Sequence, residues 1–205
     1  MEKERWLDLA IEIQSIAQAG LAYTDNVYDK ERYERLRDIS IEMIGLKTEL
    51  EFNKIKDLFC NEEGYQTPKI DTRAVIFKDN KILLVHENND TWALPGGWCD
   101  VLESVGSNTI KEAYEETGLE VIPKKVIAIQ DRNKHNTPVY AYGICKIFIE
   151  CQVVKGMFKE NIETLGIDYF DLDELPKLAI EKTSKEQIEM CFKAKDNDNW
   201  IVEFD

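Results

Sequence analysis

The 205-residue sequence predicts an α+β protein in two parts: a small all-α domain over residues 1–60 and, after a linker at 61–69, a larger domain of strands and helices over 70–205. Three observations carry this. Apolar residues recur at intervals of three and four through the first sixty positions, the spacing that lines one face of a helix. Runs rich in β-branched and aromatic residues fill much of the chain after residue 70. Between the two, NEEGYQTPK interrupts any periodicity with Gly64 and Pro68.

In chain order, Trp6, Leu9, Ala10, Ile13, Ile16 and Ala17 predict a helix over about 2–22, fraying at Gly20. Asp29 is the expected cap of a second helix with Tyr33, Leu36, Met43 and Ile44 inward, and a third spans about 48–60. Three short helices make a thin core. Their surplus apolar face, in Trp6, Ile13, Tyr33, Leu36, Met43 and Leu58, predicts a homodimer. TRAVIFKDNKILLVHE reads as a hairpin about Asp79 and Asn80. TWALPGGWCD then brings a short strand into a glycine turn, and a helix follows with Ser104 as N-cap and Gly118 just past its end. Gly106 within that helix costs up to about 1 kcal/mol relative to Ala. Residues 119–130 and 138–154 predict a long antiparallel pair about the polar loop DRNKHNT. A strand near 167–170 and a helix over about 184–195 close the chain.

Composition narrows function. A net charge of −14, from 40 acidic and 26 basic residues, disfavours nonspecific binding to nucleic acid or to an anionic membrane surface, and an anionic substrate would need local help from a metal, Arg or Lys. The five cysteines, Cys60, Cys99, Cys145, Cys151 and Cys191, are scattered, and two histidines are too few to complete a zinc set, so they read as reduced thiols. The opening residues place charges inside their apolar pattern, and no run approaches a membrane span, so a cytoplasmic protein is expected. Neither His86 nor His135 lies in a nucleophile motif, which disfavours Ser-His-Asp or Cys-His chemistry. His86 and Cys99 read as structural.

The chemistry gathers between Gly97 and Leu119. Glu112, Glu115 and Glu116 lie three and four residues apart, which puts their carboxylates on one helix face. Three anions side by side repel one another, and the pattern makes sense around a hard divalent cation such as Mg²⁺, which takes oxygen ligands and keeps several waters. A solvated acidic face is the default for any one Glu in so acidic a chain, but it leaves the glycines unexplained.

Gly97, five residues, Glu103, seven residues, Lys111, Glu112, Ala113, one residue, Glu115, Glu116, one residue, Gly118 and Leu119 together resemble the Nudix box of the Nudix hydrolases. One position departs: the box has arginine where this chain has Lys111. The resemblance extends over residues 71–174, and the N-terminal helices resemble those of a bacterial Nudix subfamily. It implies an α/β/α sandwich with a mixed sheet behind the all-α domain. It also implies a pyrophosphatase that cleaves a nucleoside diphosphate linked to another moiety, ADP-ribose or a CDP-alcohol such as CDP-choline, into a nucleoside monophosphate and a phosphorylated product.

By the same resemblance, Glu112, Glu115 and Glu116 hold Mg²⁺, or Mn²⁺, directly or through water, with the carbonyl near Gly97 adding an oxygen. Glu103 is implied to position the helix, paired with Lys111, which keeps the charge of the usual arginine without its fork. Glu112 is favoured as general base over Glu160 and Glu163 of the loop KENIET. Arg73, Arg132, Lys134 and His135 are the basic residues expected near substrate, suited to phosphate or ribose oxygens by charge-assisted bonds. On composition alone the loop 131–136 reads equally as an ordinary polar loop. Trp92, Trp98, Tyr140 and Tyr142 can stack a base, though aromatic residues on strands more often belong to the core. Two rivals stand beside this reading: action on RNA 5′ ends or oxidised nucleoside triphosphates, and a non-catalytic nucleotide-binding module. The latter commonly loses box glutamates, and all are present here.

Overall fold

The computed structural model describes residues 5–47, 51–60, 64–158 and 164–205, together with the side chains of all of these but Leu58. Two compact units form, Met1–Pro68 with Tyr140–Tyr142, and Lys69–Val139 with Gly143–Asp205.

The first unit holds α1 (Arg5–Tyr23), α2 (Val27–Gly45) and α3 (Phe52–Phe59). Ala10, Ile41, Ile44, Ile55 and Phe59 form its core, with Trp6 and Met43 packed against it. These last two were expected on a face left for a partner. The large side chains that α1 leaves exposed are instead Leu9, Ile16 and Tyr23, seven residues apart. Gly20 does not end α1. Its missing Cβ admits the ring of Tyr33, which a Cβ would meet at 2.4 Å. The cap of α2 is Asn26 rather than Asp29: its backbone is extended and its side chain accepts from the N–H groups of Tyr28 and Asp29, leaving Asp29 in the first turn.

In the second unit, β1 (Lys69–Lys78) and β2 (Lys81–Glu87) meet at Asp79 and Asn80, both at positive φ, as a two-residue hairpin turn requires. Then follow β3 (Trp92–Ala93), α4 (Val105–Thr117), β4 (Leu119–Asp131), the short α5 (Arg132–His135), β5 (Ile144–Gly156), β6 (Thr164–Phe170), α6 (Lys185–Lys195) and β7 (Glu203–Phe204). The sheet runs β3-β2-β1-β5-β4-β7, and β6 pairs with β2. It is mixed: β1 lies parallel to β5, with Asp71 opposite Lys146, whereas β4 and β5 are antiparallel. The second strand of that long pair begins at Ile144, not at 138, because Pro138 has no N–H for a ladder and residues 140–142 belong to the helical unit.

Alternation along the strands builds two cores, as a sheet covered on both faces demands. Ala74, Ile76, Leu83, Ile147 and Ile149 pack with Ala113 of α4. Val75, Ile82, Leu84, Ile127 and Phe148 pack with Ile188, Cys191 and Ala194 of α6. Each fully buried Leu, Ile or Phe here contributes about 1.5–3 kcal/mol. This is the α/β/α sandwich. All five cysteines are free, and no helix among the described residues is long and apolar enough to cross a membrane.

Candidate active site

The segment after β3 runs beside β1. Ala74 N–H donates to the Pro95 carbonyl (2.8 Å), Thr72 N–H to that of Gly97 (2.9 Å) and Cys99 N–H to that of Ile70 (2.9 Å). Gly96 sits at φ +140°, where a Cβ would fall 1.9 Å from the Thr72 carbonyl oxygen. At Gly97 a Cβ would fall 2.6 Å from Glu112 Oε2. The two glycines thus let the turn lie between β1 and the acidic face of α4.

The register of α4 is fixed from both ends. Ser104 caps it through a capping box with Ser107, and Gly118 closes it in the left-handed conformation. Fully buried Asn108 donates from Nδ2 to Thr72 Oγ1 (2.9 Å) and accepts at Oδ1 from Asp100 N–H (3.3 Å), tying helix, strand and turn together. Glu112 is thereby set against Gly97, and Glu116 against Gly96, whose N–H donates to Glu116 Oε2 at 2.7 Å.

Burial pushes the Glu116 carboxyl up to about 7, against the opposing charge of Arg73 and the Gly96 hydrogen bond. Burial also raises Glu112. Lys111 Nζ stands among the acids, 2.8 Å from Asp100 Oδ2, 3.4 Å from Glu112 Oε1 and 3.6 Å from Glu115 Oε2, and its hydrogen bond to Asp100 holds its proton above the ordinary range. The expected pairing of Lys111 with Glu103 is not the one formed. Glu103 N–H donates to the Asp100 carbonyl (2.9 Å), and that turn, with Asn108, folds Asp100 back onto α4 to take the lysine. Asp100 was missed in the sequence because it lies outside any helical spacing.

The four basic residues expected near substrate each have partners within the protein. Arg73 is buried, its Nη2 2.8 Å and its Nε 3.2 Å from the two Asp71 oxygens, with Nη1 donating to the Leu94 carbonyl (3.2 Å). Burial opposes its charge, but Asp71 and then Glu116 outweigh it and the pKa is raised, so Arg73 is a counter-charge for the acids. Arg132, also buried, donates to the carbonyls of Glu181 and Pro138. His135 Nε2 lies 2.8 Å from Asp205 Oδ2, and Lys134 Nζ 3.7 Å from the same atom. A buried guanidinium demands such partners, which residue type alone does not reveal. His86 stacks on Trp92 (centroids 4.5 Å apart), and Trp92 packs on Phe170 within the α6-side layer. Glu160 and Glu163 lie outside the described residues.

Among the described residues no three acidic, His or Cys side chains converge as a finished metal cage. Mg²⁺ needs none, since one or two carboxylates, waters and substrate phosphates complete its shell. The donors on offer, the carboxylates of Glu112, Glu115 and Glu116 and the Gly97 carbonyl that also accepts from Thr72 N–H, are all oxygen. The Lys111 ammonium at 2.8–3.6 Å from three of the local acids marks a place that favours positive charge. The residues fit a hard divalent cation.

A mixed sheet between two helical layers carries an acidic helix laid against a Gly-Gly turn, and the relatives of this chain make it a hydrolase of the pyrophosphatase class. The chain belongs to the Nudix family: the family described as "NUDIX domain" matches residues 67–191, and the one described as "UDP-X-like, N-terminal oligomerisation domain" matches residues 4–59. YjhB of Bacillus subtilis, provisionally named an ADP-ribose pyrophosphatase, is 42% identical over 189 residues, covering 92% of this chain and 91% of the relative. Among solved structures, an ADP-ribose pyrophosphatase from Streptococcus suis is 46% identical with a TM-score of 0.64, over 68% of this chain and 100% of that one. A UDP-X diphosphatase is 30% identical, TM-score 0.64, over 99% of this chain and 100% of that one.

Proposed function

We propose that the protein is a Mg²⁺-dependent pyrophosphatase, with Mn²⁺ as an alternative, that cleaves a nucleoside diphosphate linked to a second moiety, with ADP-ribose as first substrate. The observation that carries this is the contact of Glu112 and Glu116 with Gly97 and Gly96. The names of the relatives at 42% and 46% identity support the choice of ADP-ribose. Glu112, Glu115, Glu116 and the Gly97 carbonyl hold the cation. When bound, it neutralises charge on the phosphoryl oxygens and acidifies a water. Glu112 would serve as base to the attacking water, and Lys111 braces Glu112 and Glu115 against Asp100. Glu103 fixes the turn that delivers Asp100. The Arg73 charge opposes the burial that favours the protonated form of Glu116. Water is added across the P–O–P bridge, giving AMP and ribose 5-phosphate from ADP-ribose. The protein acts as a homodimer through its N-terminal helices, a reading supported by the oligomerisation domain matched there.

Chromatography of products from ADP-ribose, CDP-choline, UDP-linked sugars, capped RNA and an oxidised nucleoside triphosphate, each with and without Mg²⁺, tests this. AMP from ADP-ribose, lost with chelator, is expected. A folded protein that releases no nucleoside monophosphate from any diphosphate-linked compound contradicts it.

A further inference from the structure

The loop that leads into α6 is held by side chains, carbonyl by carbonyl. Asn136 Nδ2 donates to the Ile180 carbonyl (2.8 Å), Arg132 Nη2 to that of Glu181 (3.1 Å) and Lys146 Nζ to that of Lys182. These three side chains are 2% exposed or less. Thr183 Oγ1 then accepts from Leu94 N–H (3.0 Å), two residues before Gly96. Buried polar groups of this kind cost free energy unless each is paired, and here their partners are the backbone of one irregular segment. That segment is fixed in one conformation.

What it presents is Lys182. Its side chain is 44% exposed and its Nζ lies 2.7 Å from Glu87 Oε1, at the end of β2. An ammonium has three donors, and Glu87 uses one. Thr183, the next residue, bonds Leu94, and Gly96, two residues beyond Leu94, donates to Glu116, so the Lys182 segment is tied to the turn that holds the acids of α4. Lys81, 43% exposed and in this like Lys182, pairs with the more exposed Asp171 at the opposite end of β2, about 20 Å away at ~3.3 Å per residue. It shows what an ordinary pair looks like without the anchored loop.

We propose that Lys182 is a substrate-binding residue, a pre-positioned cation that takes the diphosphate oxygens of the nucleoside diphosphate-linked substrate beside the α4 acids. This rests on the function proposed above. The buried set of Arg132, Asn136 and Lys146 serves it by holding the loop.

Calorimetric binding of an α,β-methylene analogue of ADP-ribose, which cannot be cleaved at the bridge, separates the two readings, and kinetics with ADP-ribose accompany it. Lys182→Met should weaken analogue binding and raise KM by about tenfold, the scale of one charge-assisted hydrogen bond, while kcat changes far less. Lys182→Arg should restore most of the loss, and Lys81→Met should change neither quantity. A folded Lys182→Met protein that binds the analogue as tightly as wild type overturns the assignment, as does an equal loss in Lys81→Met. Wild-type protein that binds the analogue yet cleaves no diphosphate overturns the function alone, and protein that binds none overturns both.

Discussion

Gly96 and Glu116 are joined across twenty residues of sequence by one hydrogen bond, 2.7 Å from the Gly96 N–H to Glu116 Oε2. It fixes the last turn of α4 on the glycine turn and holds a carboxylate where burial opposes its charge. Glu116 keeps its proton to about pH 7 in the folded protein but only to 4.5 at its ordinary value. Between those values the folded state binds more protons, so stability falls as pH rises through the window, and the full penalty, about 3 kcal/mol, is present above pH 7. Glu116→Gln removes it while keeping an oxygen for Gly96. In chelator, the variant should melt above wild type at pH 8, with a gap that closes towards pH 4.5. Mg²⁺ should raise the wild-type Tm at pH 8 more than the variant's. A gap that is constant with pH contradicts the burial argument.

The two glycines should respond differently. At Gly97 the obstacle to a methyl group is the end of a flexible side chain, Glu112 Oε2 at 2.6 Å, so Gly97→Ala should fold and displace the carboxylate, losing about tenfold or more in kcat/KM. At Gly96 the obstacle is the Thr72 carbonyl at 1.9 Å, with φ at +140°, so Gly96→Ala should lose stability first. Melting curves beside kinetics check the order. Equal melting of the two variants would count against it.

Lys111 gathers Asp100, Glu112 and Glu115, so Lys111→Arg should retain activity, its fork gripping Asp100, while Lys111→Ala should lose several-fold. Asp100→Asn should resemble Lys111→Ala, and Glu103→Gln should not, if the observed pairing is the working one. Steady-state rates of the four variants decide this. Inactivation by arginine would assign Lys111 a different role.

Leu9, Ile16 and Tyr23 form an exposed row on α1. If it is the homodimer contact, Ile16→Glu should halve the mass measured by light scattering without lowering the helix content. A monomeric wild type would sink the assembly.

What the sequence revealed was local. The hairpin turn at Asp79 and Asn80, the Ser104 cap and the acid-bearing face of α4 depend on neighbours within a few residues. What it concealed depends on where distant chain returns. Arg132 carries the same charge on paper whether it meets a phosphate or the Glu181 carbonyl 49 residues on. Lys111 found Asp100 through a turn that no periodicity marks, and β7 is two residues on the edge of β4. Asn26 and Asp29 are both good caps, and only backbone conformation chose between them.

The role proposed for the α4 carboxylates is to hold the cation that hydrolysis requires. It is tested most directly by Mg²⁺-dependent AMP formation from ADP-ribose in wild type and Glu116→Gln, with folding checked by circular dichroism. A loss on the order of a hundredfold or more is expected, since one ligand contributes several kcal/mol to the transition state. A folded Glu116→Gln enzyme turning over within a few-fold of wild type would contradict it.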